Sequence, residues 1–124
     1  NAKTVFLMPG AVAPRMIAQG SGKIVSIAAS AGLAAKSGNG VYAASKAAVM
    51  RLTEAMSAEL KGHGINVNCV LPSTIDTPAN RAAMPDARFE KWVTPEALAD
   101  VLLFLASDMA RAIHGAAIPV YGLV

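Results

Sequence analysis

Residues 23–28, Lys-Ile-Val-Ser-Ile-Ala, form a short apolar run that is rich in β-branched side chains and follows Gly20-Ser21-Gly22. A run of this length and composition is typical of a strand buried in a sheet. Two further runs, Ile65 to Leu71 and Ala116 to Tyr121, have the same character and are also bounded by glycine or proline. The sequence therefore predicts three buried strands.

Helical patterns separate these strands. From Val41 to Lys61 the chain is rich in Ala, Leu, Met and Glu without an internal Gly or Pro, which predicts a long helix. Thr94 followed by Pro95 is typical of a helix start, and an apolar stripe follows it. The opening residues to Met16 also look helical, with a kink or break expected at Pro9-Gly10. Strands that alternate with helices predict parallel βαβ units and an α/β, doubly wound sheet.

Composition is typical of a soluble protein with one core. Of the 124 residues, 54% are hydrophobic and 15% are charged, unlike a disordered segment. The net charge of +3 is small and the basic residues are scattered, so neither nucleic acid nor a membrane is expected as a partner. The single cysteine, Cys69, fits a reducing compartment, and we expect a cytoplasmic protein. The two histidines, His63 and His114, have no partner at metal-ligand spacing, so no metal site is expected.

Tyr42 and Lys46 are the residues with the clearest chemical potential. They lie four positions apart at the start of the long predicted helix, so their side chains share one face. Doubly wound sheets bind ligands beyond the carboxyl ends of their strands, and this face follows such an end at Ala28. An ammonium beside a phenol favours the phenolate, which suits a general acid that protonates a product. For an isolated Tyr-x-x-x-Lys, a packed tyrosine beside a solvated lysine is the default interpretation, but the surrounding strand, loop and helix favour catalysis.

Three motifs resemble those of the short-chain dehydrogenase/reductase family, at residues 22–27 (Gly-Lys-Ile-Val-Ser-Ile), 42–47 (Tyr-Ala-Ala-Ser-Lys-Ala) and 65–72 (Ile-Asn-Val-Asn-Cys-Val-Leu-Pro). The resemblance implies that Tyr42 is the acid, that Lys46 holds the nicotinamide ribose and tunes Tyr42, and that Asn1 supports a proton-relay water. The family also places a serine on the substrate carbonyl, but that position is Ala29 here. Ser30 follows one residue late and, because side chains alternate along a strand, is expected to point away unless a bulge re-aims it.

A closer resemblance, to the dihydropteridine reductase branch, lies in residues 71–92, Leu-Pro-Ser-Thr-Ile-Asp-Thr-Pro-Ala-Asn-Arg-Ala-Ala-Met-Pro-Asp-Ala-Arg-Phe-Glu-Lys-Trp. That branch shares Asp-Thr-Pro-x-Asn-Arg-x-x-Met-Pro with a following Phe and Trp, and it too lacks the serine that Ala29 replaces. A quinonoid dihydropterin is a conjugated electron sink, so its reduction needs a hydroxyl donor less than a ketone does. The resemblance implies reduction of quinonoid dihydropterin. The alternative is a general carbonyl or alcohol oxidoreductase of the same family.

The same resemblance assigns roles in the loop after the second strand. Thr77 is expected to contact the carboxamide or phosphates of the cofactor. The residues expected to line the nicotinamide pocket are Pro72, Ser73 and Ile75, with an ordinary turn as the alternative. The residues that either line the substrate side or only fold the loop are Asn80, Arg81 and Trp92. The segment 78–93 is predicted to be a lid or substrate loop.

The family is roughly twice as long as this chain, and no Gly-x-x-x-Gly-x-Gly phosphate loop occurs in it. We therefore interpret residues 1–124 as the C-terminal catalytic part of one Rossmann-like domain, with helices on both faces of the sheet and the N-terminal phosphate-binding half absent. The chain alone is not expected to be active. The resemblance implies NAD or NADP as cofactor, without a preference, a small-molecule substrate and a homo-oligomer. An interpretation from another class is a non-catalytic oligomerisation module built on helix 41–61.

Overall fold

Three parallel strands form the centre of the computed structural model, which describes residues 1–124. Strand β1 (Gly22–Ile27) pairs with β2 (Ile65–Pro72), and β2 pairs with β3 (Ala117–Val120). All three predicted strands are confirmed, with their bounds shifted by at most one residue. Because the strands are parallel and Ile27 lies opposite Val70, the ends of β1 and β2 and the loops after them meet at one edge of the sheet.

Four helices surround this sheet: α1 (Ala2–Gln19), α2 (Gly40–Leu60), α3 (Pro78–Ala83) and α4 (Pro95–Ala106). The predicted long helix is α2, displaced by one residue, and Thr94 is the N-cap of α4, as its sequence predicts. Its hydroxyl oxygen accepts a hydrogen bond from the Ala97 N–H at 3.2 Å. None of the helices has the length and hydropathy needed to cross a membrane.

Strand β2 forms the buried centre of the fold, and all eight of its residues are buried. On one face, Cys69 and Leu71 pack with Val49 and Met50 of α2. On the other face, Val70 clusters with Leu98 and Leu105 of α4 and with Val93. Helices therefore cover both faces of a parallel sheet, and the predicted α/β, Rossmann-like fold is confirmed.

Helix α1 differs from its prediction. A kink or break is expected at Pro9-Gly10, but the helix continues through both Pro9 and Pro14 to Gln19. Pro9 is the one buried residue of α1, and Ala13 and Met16 pack against the cluster of Leu60, Ile65 and Val67. Tertiary packing therefore keeps α1 continuous at Pro9 and Pro14, although proline has no backbone N–H to donate a helical hydrogen bond.

Polar residues inside β2 fix the position of β3. The Asn68 side chain accepts a hydrogen bond from the Ala116 N–H at 2.9 Å and donates one to the Ile113 carbonyl at 2.9 Å. The Asn66 amide donates to the carbonyls of Arg111 and Ile113 at 3.0 and 2.9 Å. These buried amides have partners, as such groups require, and they align the segment that leads into β3.

Candidate active site

A cleft of about 500 Å³ opens at the carboxyl ends of β1 and β2. Its walls come from the end of β1 and the loop after it, from α2, from the loop after β2, and from α3. Eight of the predicted site residues line it: Ala29, Ser30, Tyr42, Lys46, Pro72, Ser73, Ile75 and Asn80. The sheet geometry thus gathers residues that are up to 51 positions apart in the chain (29 to 80) at one site.

Tyr42 and Lys46 project from the first two turns of α2 into this cleft. Tyr42 is 48% exposed, whereas Lys46 is only 9% exposed, and burial lowers the pKa of the Lys46 ammonium. The Lys46 Nζ donates a hydrogen bond to the Ile27 carbonyl at 2.9 Å and lies 5.8 Å from the centre of the Tyr42 ring. The lysine is therefore anchored to the end of β1 beside the phenol ring.

The loop after β1 contacts α2 closely because residue 32 is glycine. A Cβ on Gly32 would lie 2.9 Å from the backbone carbonyl carbon of Lys46 and 3.0 Å from the Ala47 nitrogen. Both atoms belong to the backbone of α2, which cannot shift without disturbing the helix. The short 3-10 turn at Ser30–Gly32 and the start of α2 therefore form one packed unit.

Ala29 and Ser30 both line the cleft, Ala29 buried and Ser30 half-buried. The alternation that predicted Ser30 to point away does not apply here. Strand β1 ends at Ile27, Ala29 is still extended (φ −164°, ψ 159°), and the chain then turns at Ser30. The Ala29 side chain is buried, and both its correspondence to the family serine and a role for the Ser30 hydroxyl stay predictions.

The loop after β2 forms the opposite wall of the cleft. The Ser73 hydroxyl donates a hydrogen bond to the Tyr121 carbonyl at 2.8 Å, and the Ser73 N–H donates to the Val120 carbonyl at 3.1 Å. The Asn80 amide donates to the Ile75 carbonyl at 2.7 Å. These bonds fix the loop to β3 on one side and to α3 on the other.

Three predicted site residues, Asn1, Thr77 and Trp92, are not among the residues that line the cleft. Asn1 is exposed at the N-terminal end of α1, where its carbonyl accepts a hydrogen bond from the Val5 N–H. Thr77 is the N-cap of α3, and its hydroxyl oxygen accepts a hydrogen bond from the Asn80 N–H at 3.2 Å. Trp92 packs on Phe89, with ring centres 4.9 Å apart. Their predicted roles toward a ligand stay predictions.

Arg81 is not among the residues that line the cleft, and it pairs with Asp76. Of the three residues for which a substrate role and a loop-folding role were both open, Asn80 lines the cleft, whereas Arg81 and Trp92 contact other residues of the loop.

A family model described as enoyl-(acyl carrier protein) reductase matches residues 1–122. The chain belongs to the short-chain dehydrogenase/reductase family. The chain is 36% identical over 132 aligned residues to the 2-(R)-hydroxypropyl-CoM dehydrogenase of Xanthobacter autotrophicus, covering 98% of this chain and 53% of that protein. It is 37% identical over 130 aligned residues to the 3-oxoacyl-acyl-carrier-protein reductase of Thermotoga maritima, with the same coverage.

A solved member of the family has the same fold. The gluconate 5-dehydrogenase of Burkholderia cenocepacia, in complex with NADP and tartrate, superimposes with a TM-score of 0.86 at 34% identity. The match covers 95% of this chain and 50% of that one. The chain thus spans about half the length of the curated relatives it matches. The dihydropteridine reductase branch, which residues 71–92 resemble, stays a prediction.

Sequence reasoning missed several residues that line the cleft of this short-chain dehydrogenase/reductase chain, among them Lys36 and Met84. Lys36 lies in the glycine-bearing loop between β1 and α2. Because this loop follows the carboxyl end of a strand, its position could have indicated that Lys36 lines the cleft. Met84 comes four residues after Asn80, at the end of α3, and its apolar character alone carried no signal. No group of three His, Cys, Asp or Glu side chains lies close enough together to hold a metal ion.

Proposed function

We propose that residues 1–124 form the catalytic part of an NAD- or NADP-dependent oxidoreductase that acts on a small molecule. The observation that carries this proposal is the Tyr42–Lys46 pair in the cleft, with the Lys46 Nζ fixed at 2.9 Å to the Ile27 carbonyl and 5.8 Å from the tyrosine ring. Membership in a family with relatives solved in complex with NADP or NADH supports it. Since the chain spans about half of its relatives, the activity is proposed for the whole protein.

The cleft suits a nicotinamide dinucleotide. It lies beyond the carboxyl ends of parallel strands, where such sheets bind nucleotides. Among its lining side chains Lys36 and Lys46 are cationic and none is a carboxylate, so these side chains favour an anionic ligand. The side chains proposed to hold the cofactor are Lys46, Pro72, Ser73, Ile75 and Thr77. When bound, the nicotinamide supplies or accepts a hydride.

The residues of the chain then donate and return the proton. Tyr42 is half exposed toward the cleft, so its hydroxyl can reach a bound substrate and give it a proton. The Lys46 ammonium stabilises the phenolate that remains, and its bond to the Ile27 carbonyl keeps it in place during the transfer. Asn1 is proposed to support the proton-relay water that returns a proton to the site.

We further propose quinonoid dihydropterin as the substrate, because the family resemblance assigns to Ala29 the position of a serine hydroxyl that would contact a carbonyl oxygen. A ketone concentrates developing charge on one oxygen and benefits from a second donor beside Tyr42. A quinonoid dihydropterin spreads this charge over its rings, so the absence of a hydroxyl donor at position 29 raises its reaction barrier less. The second candidate is a secondary alcohol or ketone, which the hydroxypropyl and gluconate dehydrogenase relatives favour.

Specificity constants measured on the full-length protein test this choice. We expect the wild type to reduce quinonoid dihydropterin faster than a simple ketone, and Ala29→Ser to raise ketone reduction up to about a hundredfold, the usual value of one such donor. Pterin reduction should change by less than about threefold, well below that value. Ala31→Ser is the matched control, because Ala31 also lines the cleft but is two residues away. A wild type that prefers ketones, or a serine at position 29 that leaves the ratio unchanged, contradicts the pterin proposal and makes Ser30 the candidate donor.

Two expectations, a cytoplasmic location and a homo-oligomeric state, stay predictions. Several large apolar side chains of α1 are exposed in this chain, namely Phe6, Leu7 and Met8. Such side chains favour burial against another part of the protein or a second subunit.

A further inference from the structure

Helix α3 forms part of the cleft wall but has no buried residue. It contributes Asn80 to the lining, and Met84 follows directly at its C-terminal end. A helix this short has little stability of its own, so other contacts must hold it against the cleft.

The strongest of these contacts is a pair between Arg81 and Asp76. The Arg81 Nε lies 2.6 Å from Asp76 Oδ1, and Nη2 lies 2.7 Å from Oδ2, which is a bidentate arrangement. The Asp76 side chain is only 17% exposed, and its bonds to Arg81 lower the pKa of this carboxyl group. Bidentate pairs hold a defined geometry better than single ion pairs on a surface.

The same guanidinium also packs on an aromatic ring. The Arg81 Cζ lies 4.9 Å from the centre of the Phe89 ring, and Phe89 in turn packs on Trp92. This distance is within the range of a cation–π interaction. Arg81 thus connects α3 to two separate segments, the loop after β2 and the turn that precedes α4.

Both segments are firmly anchored. The Asp76 N–H donates to the Val93 carbonyl at 2.8 Å, and the Val93 N–H donates to the Thr74 carbonyl at 3.0 Å. Val93 is 1% exposed and belongs to the cluster around Val70. The backbone of Asp76 is therefore bonded to a core residue, Val93, although Arg81 itself is 53% exposed.

We infer that Arg81 is a positioning residue, which fixes α3 against the cleft through Asp76 and Phe89 without touching the substrate. Through α3 it sets the positions of Asn80 and Met84, which do line the cleft. This inference rests on the proposed oxidoreductase function for its kinetic consequence. Its structural consequence, an α3 that depends on Arg81, does not rest on that function.

Steady-state kinetics of the full-length protein measure the first consequence. Arg81→Ala should raise the KM for the substrate about fivefold, the order expected for the loss of exposed charge and cation–π contacts. It should leave kcat and the KM for the dinucleotide within about twofold, because neither chemistry nor cofactor contacts change. Arg81→Lys keeps the charge but not the bidentate geometry, so it should recover only part of the KM.

Arg88→Ala is the matched control. Arg88 is an arginine of the same loop, 72% exposed at its side chain and paired with Glu90 at 3.0 Å, and it does not line the cleft. We expect wild-type kinetics from this variant. An equal rise in KM for Arg81→Ala and Arg88→Ala would overturn the inference, since the effect would then be one of surface charge.

Amide hydrogen exchange measures the second consequence and separates the two proposals. Arg81→Ala should speed exchange in α3 about fivefold while Val93 and β2 stay protected, and Arg88→Ala should not. Unchanged exchange in Arg81→Ala overturns the inference, whatever the activity. A wild type without turnover with either dinucleotide contradicts the proposed function, whereas the exchange result still decides the role of Arg81.

Discussion

The two walls of the cleft are built on different principles. The wall formed by α2 carries Tyr42 and Lys46 on a helix with seven buried residues, and Gly32 brings the neighbouring loop into direct contact with its backbone. The wall formed by α3 has no buried residue and depends on Arg81 and on its N-cap. Each buried apolar side chain contributes roughly 1.5–3 kcal/mol, whereas an exposed ion pair contributes little.

Under the proposed function, this difference separates chemistry from recognition. Proton transfer requires groups held within a fraction of an ångström, which a buried helix provides. A substrate loop benefits from weaker attachment, because it must admit the substrate and can change without loss of the fold. We therefore expect changes in the α2 wall to affect turnover and changes in the α3 wall to affect substrate binding.

The largest effect is expected at the hydroxyl of the α2 wall. Tyr42→Phe should lower kcat of the full-length protein at least about a hundredfold, the usual contribution of a positioned general acid. Since the side chain is 48% exposed, the melting temperature should not change. Tyr121→Phe, at a tyrosine outside the cleft lining, is the control and should keep wild-type turnover. Wild-type turnover of a folded Tyr42→Phe protein would contradict the assignment of Tyr42 as the general acid.

An intermediate effect is expected where the loop contacts α2. In Gly32→Ala, the added Cβ meets the Lys46 and Ala47 backbone at 2.9–3.0 Å, so the loop or the helix must shift. We expect a loss of about 1–3 kcal/mol in the free energy of unfolding and about a tenfold fall in kcat. Gly10→Ala is the control, because nothing lies within 4 Å of its Cβ and alanine favours a helix. If kcat of Gly32→Ala equals that of the wild type, the α2 wall is less rigid than we infer.

The smallest effect is expected at the threonine N-caps of α3 and α4, which can be compared directly. Thr94→Ala removes the cap of α4, whose Leu98 and Leu105 are buried, and should lower the free energy of unfolding by about 1 kcal/mol. Thr77→Ala removes the same bond from α3 and should leave thermal unfolding unchanged, because α3 contributes nothing to the core. The experiment is a pair of thermal melts on the full-length protein. Equal destabilisation by both variants would show that α3 is part of the cooperative fold.

Most of the fold could be predicted because its signals are local. The β-branched runs at β1 and β2 and the Thr94-Pro95 helix start follow directly from residue type and spacing. The continuity of α1 could not be predicted, since proline argues for a break and only burial of Pro9 against the rest of the molecule opposes it. Likewise, strand alternation is no guide to how Ser30 meets the cleft, because Ser30 lies in the turn after β1 and the end of β1 depends on its pairing with β2.

The sequence by itself determined the strands, the helices α2 and α4, and the presence of Tyr42 and Lys46 on one helix face, because these depend on periodicities of a few residues. Only the tertiary structure decided which loop residues meet. Asn80 lines the cleft, whereas the adjacent Arg81 turns toward Asp76 and Phe89. The partners of Arg81 lie five and eight positions away on a stretch without regular periodicity, and their encounter depends on how β2 and Val93 anchor that stretch to the core.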